Sequence, residues 1–281
     1  MPPNNAKEIL ATCQIPSIPK NLKDILDAAS DPNMSNVRLE KIVLKDASLT
    51  TQLLKIVNSA FYAMSSKVMS IQQAIVLLGF PSVKSIASGL LMTETFSRMG
   101  QLNQEYLTAV WRNSLVVSSM IPMISPKMAL KERDDLVLAA LLHHVGHLVL
   151  CQKFGEDYLD HTRVSLFPAP SLESKKYGVN HAEIGSELLK EWGLPPGIVN
   201  LVHFHHHPEQ SPENAKKIRL MQVCDELGTE AMALPFIFDT DESGLMPELR
   251  DALKAAELSW TQVKSKKELI LGAIKTISES F

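Results

Sequence analysis

One stretch of this chain, ERDDLVLAALLHHVGHLVLCQKF from Glu132 to Phe154, is apolar on nearly every side once its acidic first turn is passed. A helix with no polar face has to be the buried centre of its domain. This one carries three histidines, His143, His144 and His147, into the interior with it. The chain has nine histidines, and all of them lie between His143 and His207. A neutral imidazole binds divalent metals and titrates near neutral pH. The segment that must form the core therefore also carries the chemistry.

The rest of the chain reads as helix around that centre. Strand alternation is scarce, and turn signals recur every 12 to 20 residues. Lys20 to Ala29 form an early helix, stopped by Asp31-Pro32, and Ser35 is placed to cap the next one. Ser48 is read as the cap of LTTQLLKIVNSA, and Ser70 and Gly79 as the ends of IQQAIVLLG. Asn58 is read as structural, its amide closing nearby backbone. Gly100 closes the first half. EYLTAVWRNSLVVSSMI is a long helix expected to end before Pro122. PAPSLESKKYG is a loop or a short helix, and ALPFIFDTDESG a surface loop. Asn180 and Glu183 make a capping box for HAEIGSELLKEW. The expectation is an all-α protein of two packed helical lobes, residues 1–102 and 103–281, the second holding the histidines.

The composition narrows the function. With 45% apolar residues there is material for a large core, and a net charge of −3 gives no basic field for nucleic acid. The three cysteines are far apart, which fits a reduced, cytoplasmic protein with no disulfide framework. No membrane span and no signal peptide are read from the chain.

Helical spacing orders the candidate ligands. His143 and His147 are four apart and share a face, while His144 projects about 100° away. His181 lies in line with Gly185, Leu188 and Trp192, a stripe that must face inward. His205 and His206 end their helix and point into a cleft. Asp225 sits on an apolar segment and needs a partner, because burying a carboxylate alone is costly. For each of these the bland reading is a core polar cluster held by internal hydrogen bonds. His161, His203 and His207 read as surface residues.

The order of residues along the chain resembles the HD superfamily of metal-dependent phosphohydrolases, and most of all its HDOD branch, with HD-GYP proteins as cousins. The motifs are Asp46 through Leu54, Asn58-Ser59-Ala60, Ala74 through Gly79, ALLHHVGHLVL, and HAEIGSELLKEWGLPPGIVNLVHFHHHPE. The resemblance runs from about Ile15 to at least Glu226. It implies metal ligands at His143, His144, His181, His205, His206 and Asp225. It also marks two drifted positions. Asn113 stands where the catalytic form has a first histidine, and His144 replaces the aspartate of the adjacent His-Asp pair. His147 occupies a lysine position and is expected at the mouth of the pocket.

These departures carry chemical consequences. A two-metal phosphodiesterase needs two Lewis acids about 3.5–4 Å apart with a bridging ligand. A nitrogen-rich pocket with only Asp225 favours Zn²⁺, Ni²⁺ or Fe²⁺ over Mg²⁺. The leading expectation is a bacterial signal-transduction protein of the HDOD kind, non-catalytic, that binds one divalent transition metal or a phosphate-containing small ligand in the old pocket. Its partners would be signalling proteins, not nucleic acid or membrane. The alternative is a metal-dependent phosphohydrolase acting on a nucleotide or cyclic dinucleotide. A third reading is a metal or pH sensor.

Overall fold

The structure is a computed structural model, and it describes residues 5–13, 17–29, 36–58, 67–97, 103–125, 127–162 and 166–280. The expected Ser35 cap, the Asp31-Pro32 stop and the Gly100 boundary lie outside these residues. Among the described residues every regular element is helical and none is a strand. In chain order the helices are α1 Ala6–Thr12, α2 Lys20–Ala29, α3 Asn36–Leu44, α4 Ala47–Val57, α5 Ile71–Leu78 and α6 Phe80–Ser97. Then come α7 Gln104–Ile124, α8 Leu130–Leu142, α9 Val145–Phe154, α10 Glu156–Thr162, α11 Pro170–Tyr177 and α12 His181–Glu191. The last five are α13 Pro196–His203, α14 Ala215–Ala233, α15 Pro247–Ala255, α16 Trp260–Lys264 and α17 Lys267–Ser280.

Local chemistry sets most of these boundaries. Ser70 accepts from the Gln73 amide at 3.1 Å, and Asn180 and Glu183 form the reciprocal capping box. Tyr177 closes α11 onto Gly178, whose φ of 78° is the left-handed turn that glycine tolerates best. Asn58 closes backbone as expected: its amide donates to the Leu54 and Val68 carbonyls, both at 2.8 Å, and accepts from the Val68 amide at 2.6 Å.

Several expectations are corrected. Asp46, not Ser48, caps α4, accepting from the Leu49 amide at 3.0 Å. α1 was not anticipated; Asn5 caps it, and Ile9 and Leu10 bury its one apolar face against α9 and α12. α7 continues through Pro122 to Ile124. Proline's φ suits a helix, and the helix carries on although Pro122 leaves the Ser118 carbonyl without its usual N–H partner. The stretch after α14 is not a plain loop: it forms short 3₁₀ turns at Pro235–Asp239 and Glu242–Gly244, with Ile237 and Phe238 buried.

The central apolar stretch is buried as its composition demands, but it is not one helix. α8 stops at Leu142, His143 and His144 form a turn, and α9 starts at Val145. Counted as one, Glu132–Phe154 is long and apolar enough to cross a membrane, yet 89% of its apolar window is buried inside the fold. α7 and α8 flank each other, α6 packs on both, and Phe96 of α6 makes tilted contacts with Trp111 of α7 and with Trp192 at the end of α12, at 6.2 and 6.1 Å.

α9 meets α12 at a backbone-to-backbone contact. A Cβ placed on Gly146 would lie 1.9 Å from the His181 carbonyl oxygen and 2.9 Å from the Gly185 amide nitrogen. Only two glycines allow helices this close. Gly146→Ala should therefore lower unfolding stability by about 3 kcal/mol or more. Gly197→Ala, with nothing within 4 Å, should stay within about 1 kcal/mol of the parent. Urea unfolding of both variants checks this, and equal midpoints would show the α9–α12 contact to be loose.

Candidate metal centre

The turn between α8 and α9, the start of α12, the end of α13 and the middle of α14 converge on one chamber. His143 and His144 come from the turn, His147 from α9, and His181 is the first residue of α12. His205 and His206 follow α13, and Asp225 comes from α14. His143, His144, His147, His181 and His205 are all at most 2% exposed.

The hydrogen bonds decide which face each ring presents. His143 Nδ1 lies 2.6 Å from the Ala140 carbonyl, and His205 Nδ1 lies 2.6 Å from the Val202 carbonyl. A carbonyl only accepts, so each ring carries its proton on Nδ1 and a lone pair on Nε2. His181 repeats the pattern through a carboxylate, its Nδ1 donating to Glu173 Oε2 at 2.6 Å. His147 Nδ1 donates toward the Tyr158 hydroxyl and lies 3.2 Å from Glu173 Oε1. Four rings thus turn Nε2 lone pairs inward. His181 Nε2 is 3.2 Å from His205 Nε2 and 2.9 Å from His206 Nε2. His143 Nε2 is 3.5 Å and His144 Nε2 3.8 Å from the Asp225 carboxylate. Metal-binding histidines hold their outer nitrogen in this way.

Glu173 organises one side. It is 1% exposed and takes the His181 backbone N–H at 2.9 Å, the His181 and His147 ring N–H groups, and the Tyr158 hydroxyl at 2.5 Å. Burial pushes its carboxyl up, but His181, His147 and these donors outweigh burial and hold it well below the usual carboxylate range. Burial is also the main reason His144, His205 and His206 are held well below the ordinary imidazole value, with neighbouring rings adding to it. Burial and the adjacent His181 push His147 down to about 4 against the opposing pull of Glu173. These rings are neutral, the form that binds metals.

Three triads bring ligand atoms within 4.8 Å of one another: His143, His144 and Asp225; His181, His205 and His206; and His144, His147 and His181. His143 Nε2, His144 Nδ1, His147 Nε2 and Asp225 Oδ1 are buried with no hydrogen-bond partner. Buried polar atoms left unpaired are costly, and a cation among them removes that cost. A cavity of about 30 Å³ adjoins them, lined by His143, His205, His206, Met221, Gln222, Asp225 and Glu226.

The six expected ligands therefore do come together. Asn113 does not join them: it is buried and its amide donates to Thr229 Oγ1 at 3.1 Å, one helical turn beyond Asp225. His147 is not at a pocket mouth but wholly buried, because Glu173 and Tyr158 draw its ring inward. His203 is half-buried rather than a surface residue, its Nδ1 donating to Ser186 Oγ at 2.8 Å. His207 is exposed, and His161 is exposed with Lys176 at 2.6 Å. Glu173 itself escaped the sequence reading. Its one signal was Tyr177 four residues on, which marks a buried face of α11.

A model of the HDOD domain matches residues 15–208. An uncharacterized protein of Treponema pallidum is 27% identical over 73% of this chain and 40% of its own length. The uncharacterized protein YuxH of Bacillus subtilis is 27% identical over 60% of this chain and 44% of its own. The chain thus spans less than half the length of these relatives. Among solved structures, an HDOD domain protein of unknown function from Geobacter sulfurreducens superposes with a TM-score of 0.76 at 20% identity, over 98% of this chain and 97% of the other. A provisionally assigned phosphohydrolase from Shewanella amazonensis gives 0.75 at 17% identity, over 98% and 96%. A provisionally assigned signal transduction protein from Marinobacter aquaeolei gives 0.66 at 21% identity, over 94% and 60%. At these identities the superpositions establish the fold.

The neutral buried rings predict a pH response in chelator-treated protein. Between 6.5 and about 4 the unfolded chain protonates His147 while the folded chain does not, so stability falls as pH is lowered through that window. His147 alone contributes up to about 3 kcal/mol of this loss, and His144, His205 and His206 act in the same direction. Urea midpoints at pH 7 and pH 5 measure it. Glu226, which burial pushes up to about 7, acts in the opposite direction, so the comparison is made in Glu226→Gln; a midpoint that rises on acidification in that variant would contradict the neutral chamber.

Proposed function

This chain belongs to the HDOD domain family, and on that premise we propose that it is a non-catalytic regulatory protein whose histidine chamber binds a divalent transition metal. The observation that carries this reading is the size and lining of the cavity beside the ligands. About 30 Å³ accommodates an ion with a water or two. Sites for nucleotide-sized ligands run to about 300–1,000 Å³. His143, His205, His206 and Asp225 all line it, and His143 Nε2 and Asp225 Oδ1 have no other partner.

The donor chemistry supports the same reading. Neutral imidazoles with a single carboxylate suit Zn²⁺, Ni²⁺ or Fe²⁺, whereas Mg²⁺ and Mn²⁺ prefer oxygen. Two-metal hydrolysis draws on a ligand shared by ions about 3.5–4 Å apart. At the position where the resemblance to catalytic HD proteins implies that carboxylate, this chain has His144, stacked against Phe167 at 4.0 Å between centroids. Asn113, a neutral and weak ligand, gives its amide N–H to Thr229. A bound ion would supply a Lewis acid that ties the α8–α9 turn to the residues after α13 and to α14. These residues hold lone pairs and exclude bulk water; they offer no room for an in-line attack on phosphorus. The output of such a module is contact with another signalling protein, with ligand occupancy setting the packing of those helices.

Protein purified without a polyhistidine tag should retain transition metal, measured by mass spectrometry of the ions. His205→Ala should weaken retention by on the order of 100-fold, at the upper end of what losing even an outer partner costs. Neither protein should hydrolyse phosphodiesters or cyclic dinucleotides in added Mn²⁺, Fe²⁺ or Mg²⁺. Hydrolysis abolished by His205→Ala would establish the phosphohydrolase reading instead.

A further inference from the structure

Away from the chamber, the exposed apolar side chains are unevenly placed. Among the described residues ten large hydrophobic side chains are exposed, and eight of them fall in two groups. Val37, Leu44, Met69, Val76 and Leu77 make the first, and Leu234, Phe236 and Met246 the second. Scattered singly such residues mean little, but gathered and rimmed by charge they mark an interaction surface. We infer that the second group, with Phe236 as its knob, docks on the first group of another copy of this chain, in the groove between Lys55 and Lys67.

The groove runs beside α4. It has a volume of about 420 Å³, and its lining includes Leu54, Lys55, Lys67, Val68 and Met69. Met69 is 68% exposed, so apolar surface stands uncovered at its edge. α3 packs on α4 and α5, and Val37, Lys41 and Leu44 share one exposed face of it. Residues 36–78 hold five basic side chains, Arg38, Lys41, Lys45, Lys55 and Lys67, against two acidic ones, in a chain whose net charge is −3. This face is therefore apolar and positive.

The knob has the opposite sign. The Leu234 amide donates to the Glu230 carbonyl at 2.7 Å, and the Met246 amide donates to the Glu230 carboxylate at 3.1 Å. Both ends of the segment are thus held at the last turn of α14. Phe236, on the 3₁₀ turn between them, is 60% exposed, although Ile237 and Phe238 beside it are buried. Residues 234–248 contain Asp239, Asp241, Glu242 and Glu248 and no lysine or arginine. Asp239 is held by Lys267 at 2.6 Å, while the other three are exposed and make no ion pair among the described residues.

Each face supplies what the other lacks, and both stay exposed in the single chain, so neither covers the other. An anionic membrane would use the basic groove and leave the acidic knob without a role. A second copy uses both. An aromatic anchor entering an apolar groove gives the contact its strength, and the opposed charges orient it. Because the two faces differ, the contact is head-to-tail.

Sedimentation velocity of the untagged full chain over a wide range of concentration tests this. The average mass should rise with concentration at low salt and fall back when salt is added. Phe236→Ser should weaken association by more than about 10-fold. Lys55→Glu with Lys67→Glu, or Asp241→Lys with Glu242→Lys, should each weaken it by about 100-fold. Mixing the two charge-reversed proteins should restore it, since the acidic groove of one then meets the basic knob of the other. A wild type that stays monomeric throughout overturns the proposal. So does association that survives both reversals, or a mixture that fails to recover. Binding of the wild type to phosphatidylserine vesicles, lost in Lys55→Glu with Lys67→Glu while self-association is unchanged, would assign the groove to a membrane instead.

Discussion

A neutral imidazole has one N–H to give, and in this protein fixed acceptors take it. The Ala140 and Val202 carbonyls take it from His143 and His205, and Glu173 takes it from His181 and shares that of His147. Each bond sets a tautomer and an orientation together. What remains is a set of Nε2 atoms that converge, with His206 Nε2 2.9 Å from His181 Nε2. The break between α8 and α9 serves this arrangement. Because His143 and His144 stand in a turn, their rings can stack at 3.7 Å between centroids and both approach Asp225. On one continuous helix they would have diverged by about 100°.

The same arrangement makes the core an uneasy one. Burying unpaired nitrogens is unfavourable, and so is burying the Glu173 charge. The surrounding apolar packing, with Trp111, Tyr158 and Phe96 fully buried, has to offset both. Glu173 escapes much of its share of the cost because three N–H groups and a tyrosine hydroxyl surround it. His143 Nε2, His144 Nδ1 and His147 Nε2 have no such hydrogen-bond relief within the protein.

Much of this was legible in the residues. Caps at Ser70 and Asn180, stops at Gly79 and Gly193, and the all-round apolar Glu132–Phe154 run gave helices and core. His181 and Asp225 declared themselves as polar groups on apolar faces. What could not be read had physical causes. Helical periodicity assumes continuity, and it has no term for a two-residue turn inside an unbroken apolar run, so the relation of His143 to His144, which stack instead of diverging, came out wrong. Glu173 lies on a short helix of mostly polar residues, where an acid ordinarily faces water. Its burial depends on partners 15 and 8 residues away, Tyr158 and His181, that no local pattern connects to it. α1 is only seven residues long and owes its stability to packing on distant helices.

The contact of Gly146 with the His181 carbonyl bears on how such a centre can change over time. Main chain touches main chain there, so the separation of α9 and α12 does not depend on which side chains project from either. Side chains at positions 144 and 147 can therefore change while the frame that spaces them stays fixed. A scaffold of this kind separates chemical identity from metric. Such a frame keeps positions 144 and 147 at a fixed spacing from α12 whatever side chains stand there.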